Sequence, residues 1–219
     1  MRNPWQDLPH SGEYVLDSDR NAVEGFNRTA RPDFKYDINL MPEPFFGTPE
    51  APIVVLNLNP GISSEEEIFH SQPAFMEKAW ASLTHSLRPY PFLHLQDSIT
   101  TPGEIWWRKR TRELEADTSL ELVSKSLLCV QFFPYHSKMF SPKTPFIPSQ
   151  EYGFHLVRNA MHRGSEIIIM RSKSLWMKKI PELLSYRNLH IAKNPRSPYI
   201  SRGNLGGSYE KLLEKIRGI

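Results

Sequence analysis

Four short apolar runs constrain this chain more than any other feature: 52–58 (PIVVLNL), 127–133 (LLCVQFF), 167–170 (IIIM) and 189–192 (LHIA). Each is nearly continuous rather than alternating, the pattern of a strand covered on both faces. Stretches of helical character separate them, at about 64–86, 103–116, 150–163 and 173–185, with a last one at 208–217. The first opens on Ser63 or Ser64 with Glu66 or Glu67 three residues on, a capping-box pattern. Strands alternating with helices predict the α/β class: a three-layer α/β/α sandwich around a central, mostly parallel, four-stranded sheet. The three prolines in 139–149 (MFSPKTPFIPS) predict a loop. A length of 219 residues suits one domain, with a polar, proline-dotted segment 1–41 wrapping a core of 42–219.

In a sheet of this kind, ligands bind in the crevice beyond the carboxyl ends of the strands. The residues after each run are NLNPG, then PYHSK at 134–138 preceded by Gln131, then RSKS at 171–174, then KNPRSPYISRGNLGG at 193–207. All four tails are polar and turn-forming, and the topology converges them on one edge.

Several chemistries are excluded. The only cysteine, Cys129, lies in an apolar run, so there is no intrachain disulfide framework and no multi-cysteine metal site. The eight histidines form no His-Glu-x-x-His, and His155 and His162, seven apart, read as a solvated face; no metal or cofactor is expected. Phosphate-loop, nucleophile-elbow and dinucleotide-binding glycine patterns are missing. No apolar stretch is long enough to cross a bilayer and the N-terminus has no signal-peptide hydrophobic region, so a cytoplasmic chain without a membrane partner is expected. No oligomerisation pattern is visible, which leaves a monomer. Net charge is only +3, yet residues 171–219 carry eleven Lys/Arg against three Asp/Glu. One-sided basicity of this kind is the footprint of a polyanion, although a merely solvated surface gives the same pattern.

What remains is a site of carboxamides and turns beside arginines and aromatics. An asparagine holds a water through its carbonyl and donates through its NH₂. That suits a reaction whose barrier is bond departure, where positioning and charge stabilisation do the work. Cleavage of an N-glycosidic bond is of that type.

The segment PEPFFGTPEAPIVVLNLNPG (42–61) resembles the opening of uracil-DNA glycosylase superfamily proteins, whose mismatch-specific and single-strand-selective branches carry a Gly-x-Asn-Pro-Gly first motif. IIIMRSKSLWMKKI (167–180) is similar to the strand and helix before the second motif. HIAKNPRSPYISRGNLGGSYEKLLEKI (190–216) is similar to that motif, its DNA-wedging loop and the closing helix. The resemblance implies a DNA glycosylase, acting with water as nucleophile on double- or single-stranded DNA, that leaves an abasic site. Asn59 would position the water, and Asn194 would donate to the departing base. Asn57, Leu58 and Gln131 would line the base pocket, Gln131 standing where the family keeps an asparagine. Phe69 or Phe75 would stack on the flipped base. Ser197, Tyr199 and Ile200 would enter the duplex, while Arg171, Lys173, Arg196 and Arg202 would hold phosphates with the hydroxyls of Ser172 or Ser174.

The departures are Asn57 for a small glycine, the longer Gln131, the inserted Arg196, and His136 near the pocket. A histidine there would act as donor or general acid, which suits a poor leaving group such as a modified cytosine more than plain uracil. Phage-type modified DNA is one setting for such a base, and repair of deaminated DNA is the default. Two other readings stand beside this one: a nucleic-acid binder of the same fold without chemistry, and a hydrolase of free nucleosides. In GEIWWRKRTREL, one of Trp106 and Trp107 is expected in the core, with Arg108, Lys109 and Arg110 facing water. Replacing Arg202 with alanine is expected to lower the salt slope of DNA binding by about one phosphate contact.

Overall fold

The computed structural model describes residues 1–63, 65–97, 101–194 and 196–218. Strand β1 is Phe45–Gly47, β2 Ile53–Asn57, β3 Leu127–Gln131, β4 Glu166–Ile169 and β5 Leu189–Ile191. They form one sheet in the order β1-β3-β2-β4-β5. The last four are parallel, and every residue of β2, β3 and β4 is buried, as their unbroken apolar character requires.

The sheet is thus five-stranded and mixed, not four-stranded. The additional strand β1 runs antiparallel along β3, pairing Phe45 with Val130 and Gly47 with Leu128. Three residues between Pro44 and Pro49 are too few to show a period. Gly47 has φ +109°, and a Cβ there would lie 2.1 Å from the carbonyl oxygen of Leu127, so only glycine lets β1 approach this closely.

The helices are α1 Asp17–Thr29, α2 Glu66–His70, α3 Pro73–Leu83, α4 Pro102–Asp117, α5 Leu120–Ser126, α6 Gln150–His162, α7 Lys173–Lys179, α8 Arg202–Leu205 and α9 Ser208–Arg217, with 3₁₀ turns at Pro4–Asp7, Pro32–Phe34 and Pro181–Ser185. The single helix expected over 64–86 is two. Pro73 holds Gln72 extended (ψ 124°), breaking the helix before it. Among the described residues no side chain caps α2, and Ser63 Oγ accepts from the Glu65 N–H at 3.4 Å. Ser64 lies outside the described residues. Likewise Pro181 ends the helix expected over 173–185 after Lys179.

The first forty residues include α1 and contribute side chains to the core. Trp5, Val15 and Val23 are fully buried, and Asp19 accepts from the Tyr135 hydroxyl (2.8 Å) and the Ser149 N–H (3.1 Å). Among the described residues no helix is long and apolar enough to cross a membrane.

Candidate functional site

A cavity of about 520 Å³ opens at the carboxyl ends of β2 and β3 and is walled on one side by the first turns of α4. The chain turns away here without losing the ladder. Phe132 and Phe133 donate to the carbonyls of Asn57 (3.3 Å) and Leu58 (2.8 Å), and the Ser137 N–H reaches Pro60 O (3.3 Å). The two tails therefore descend together, bringing Asn57, Leu58, Asn59, Gln131 and His136 into one cavity, with Arg171 from the tail of β4.

The buried end is polar. Asn57 and Gln131 are register partners on adjacent parallel strands, so their side chains leave the same face of the sheet. Each is 6% exposed, and Asn57 Oδ1 and Gln131 Oε1 are buried with no hydrogen-bond partner. An unsatisfied buried carbonyl costs about 1–3 kcal/mol, and each of these carboxamides also brings an NH₂ donor to the same end of the cavity. Glu43 and His94 line the same end, with His94 Nε2 3.1 Å from Glu43 Oε1. Burial pushes the Glu43 carboxyl up, but His94, then His136 and His70, pull it the other way, to about 2. Glu43 is a buried carboxylate.

Ligand atoms of Glu43, His70 and His136 lie within 4.8 Å of one another, close enough to ask whether a metal fits. Their hydrogen bonds argue otherwise. His70 Nδ1 accepts from the Met41 N–H (2.9 Å), so its proton sits on Nε2, the atom a metal would need. Both nitrogens of His136 meet carbonyl oxygens, Gly61 O at 2.7 Å and Met41 O at 3.1 Å. A neutral ring donates to one of these and an imidazolium to both. The ring suggested by sequence as a donor to the base is thus engaged by the main chain and braces the 59–61 turn.

Asn59, half-buried, is fixed in orientation. Its Nδ2 donates to Pro60 O (2.9 Å) and to Ser137 Oγ (2.9 Å), whose own hydroxyl donates to Met139 O (3.1 Å). With both amide hydrogens engaged, Oδ1 is left as the acceptor for a water.

The rim is cationic and aromatic. Trp106 and Trp107 both line the cavity, Trp106 half-exposed and Trp107 buried, as expected of one of the pair. The Arg110 guanidinium lies 4.0 Å from the Trp106 ring centre and 5.4 Å from that of Tyr199, and Arg171 lies 6.0 Å from Trp106. Arg110 therefore does not face open water. Among the described residues neither arginine has a carboxylate within ion-pair distance, and the Nε of each is buried without a partner. Burial lowers the pKa of both, and for Arg110 the charge of Arg171 lowers it further. Two neighbouring cations without a counter-charge form a ready seat for an anion.

The remaining expected residues lie elsewhere. Asn194, at the end of β5, is exposed and outside the cavity lining; its Oδ1 accepts from the N–H groups of Arg196 and Ser197, closing its own turn. Pro195 lies outside the described residues. Asn204, which sequence reasoning missed, organises this loop: its Oδ1 takes the Asn194 N–H (2.8 Å) and its Nδ2 donates to Tyr199 O (2.8 Å). Ile200 is 1% exposed and donates its N–H to Arg110 O, so it is a core anchor and not a wedge. Tyr199 is half-buried on Arg110, while Arg196, Ser197, Lys173 and Ser174 are exposed and Ser172, half-exposed, starts α7 at φ +57°. Phe75 of α3 lies in the core and Phe69 of α2, half-buried, packs against it; neither lines the cavity. Arg202 is engaged by Glu113 (3.1 Å), Asp117 (2.8 Å) and Glu210 (2.8 Å) and lies over Tyr209, which corrects its expected place on a phosphate.

No family model matches the sequence, and no curated protein or solved structure matches the chain.

Proposed function

We propose that this chain is a DNA glycosylase with a three-layer fold of the uracil-DNA glycosylase kind, hydrolysing the N-glycosidic bond of a flipped-out damaged or modified pyrimidine. The observation that carries the reading is the pairing, in one cavity, of an oriented Asn59 carbonyl with Arg171, and with Arg110 stacked behind the lining Trp106. The first suits a held water and the second the phosphate of the same nucleotide, which favours a nucleic-acid strand over a free nucleoside. In the reaction water adds to C1′ as the C1′–N bond breaks. The electron pair of that bond leaves with the base, which takes up a proton, and the sugar keeps the hydroxyl.

Asn59→Ala is expected to lower base release about 10²–10³-fold while DNA affinity changes little, the usual scale for one positioned polar group. Single- and double-stranded oligonucleotides carrying uracil, mismatched thymine, and hydroxymethylated or glucosylated cytosine serve as substrates, read out as alkali-labile abasic sites. Failure to release any of these bases removes the proposal. Asn194 supports the second reading, a nucleic-acid binder without chemistry, since its carboxamide oxygen is engaged in its own turn. DNA binding with no abasic product on any substrate would establish it.

A further inference from the structure

We infer that Ser137 is a positioning residue for Asn59: it fixes which end of the carboxamide is left for a ligand. The inference rests on the glycosylase reading of Asn59 and adds to it a residue from the second strand tail.

Asn59 follows β2 and Ser137 follows β3, with 78 positions of sequence between them. Ser137 is 1% exposed and meets the turn after β2 twice. Its N–H donates to Pro60 O (3.3 Å), and its Oγ accepts from Asn59 Nδ2 (2.9 Å). The other hydrogen of Nδ2 goes to the same Pro60 carbonyl (2.9 Å). The single hydroxyl proton of Ser137 is given to Met139 O (3.1 Å). A hydrogen-bond chain therefore runs from Pro60 O through Asn59 Nδ2 and Ser137 Oγ to Met139 O. Both of its ends are main-chain carbonyls, which only accept. Such a chain has one polarity. Reversing the carboxamide would set Oδ1 against Pro60 O and draw the hydroxyl proton away from Met139 O. Successive bonds of this kind also polarise one another. Oδ1 is left as the acceptor, and whatever meets it has to bring a hydrogen, as an attacking water does. A serine that merely closed its own turn onto Met139 O would matter to stability and not to Asn59.

A double-mutant cycle separates the two roles. Single-turnover base release is compared for wild type, Ser137→Ala, Asn59→Ala and the double variant, on the oligonucleotide that wild type cleaves best. With Asn59 present, Ser137→Ala is expected to slow release about tenfold, one neutral hydrogen bond's worth. Once Asn59 is alanine it is expected to change nothing further, because a residue acting only through another is silent in its absence. Equal losses in both backgrounds, or no loss in either, overturn the inference. Exchange of the side-chain amide hydrogens reads the same contact without chemistry. The Asn59 pair is identified in ¹H–¹⁵N spectra by its absence from Asn59→Ala, and Ser137→Ala is expected to speed its exchange with solvent about tenfold. Unchanged exchange overturns the inference. Ser137→Cys, close in size but with a weakly bonding thiol, takes the place of the alanine variant if that does not fold. The failure of each reading is distinguishable. Faster exchange in Ser137→Ala, with no base released from any DNA by wild type, keeps the hold of Ser137 on Asn59 and removes the glycosylase. Base release indifferent to Ser137, with unchanged exchange, does the reverse.

Discussion

At the residue scale, the decisive feature is which polar atoms already have partners. Asn59 has both amide hydrogens engaged and its oxygen available, whereas the oxygen of Asn194 is engaged and the side chain stands outside the cavity. Sequence ranks these two residues alike, since each follows a strand and each precedes a proline. Only the fold separates them. The same logic distinguishes the arginines. Arg110 and Arg171 are half-buried and, among the described residues, have no carboxylate within ion-pair distance, whereas Arg202 holds three. Arg110→Gln is therefore expected to reduce the slope of log Kobs against log salt for DNA by about one, one phosphate contact's worth. An unchanged slope in a fluorescence-anisotropy titration would remove Arg110 from the DNA path.

At the element scale, Arg202 is a rivet. It starts α8 and ties it to Glu113 and Asp117 of α4 and to Glu210 of α9. Arg202→Ala is expected to lower the thermal midpoint and leave the salt slope of DNA binding intact, measured by differential scanning fluorimetry and by the same titration. The parallel strands β2, β3 and β4 were legible because burial on both faces writes itself as unbroken Val, Ile and Leu, whereas β5, at the edge, is only partly buried. β1 was not, being three residues long and dependent on Gly47 for its approach to β3. Strand tails supplied Asn57, Asn59, Gln131, His136 and Arg171, since the topology of a parallel sheet dictates where those tails meet. Glu43, His94, Trp106 and Arg110 come from a loop before β1, a turn before α4, and α4 itself. Nothing in local pattern aims such segments at a particular sheet edge. Their one visible signal was the aromatic–basic run around Trp106, which fits a solvated helix equally well.

At the scale of the whole molecule, buried imidazoles set the response to acid. Burial holds His70 down to about 3, with the charge of His136 adding to it, and holds His85 down to about 4. Both values lie below the roughly 6.5 of a free imidazole, so the unfolded chain binds more protons at pH values in between. Their contribution to stability is complete above about pH 6.5 and is lost as pH falls through the folded values. Glu43, depressed to about 2, adds a further loss only below about 4.3. Urea midpoints are expected to fall steadily from pH 6.5 to 4. His85→Asn, which tolerates the left-handed backbone at φ +59°, should flatten that decline. A wild-type midpoint independent of pH over this range would contradict the burial of these rings.

Gly103 joins the scales. A Cβ there would fall 2.5 Å from the His94 ring, so the opening turn of α4 rests directly on the imidazole that holds Glu43. The helix that carries Trp106 and Arg110 is in this way seated on the buried Glu43–His94 pair of the cavity. Depth and mouth are consequently geared to each other. A single methyl at 103 would act as a shim, prising the helix from the imidazole and spoiling the fit from within.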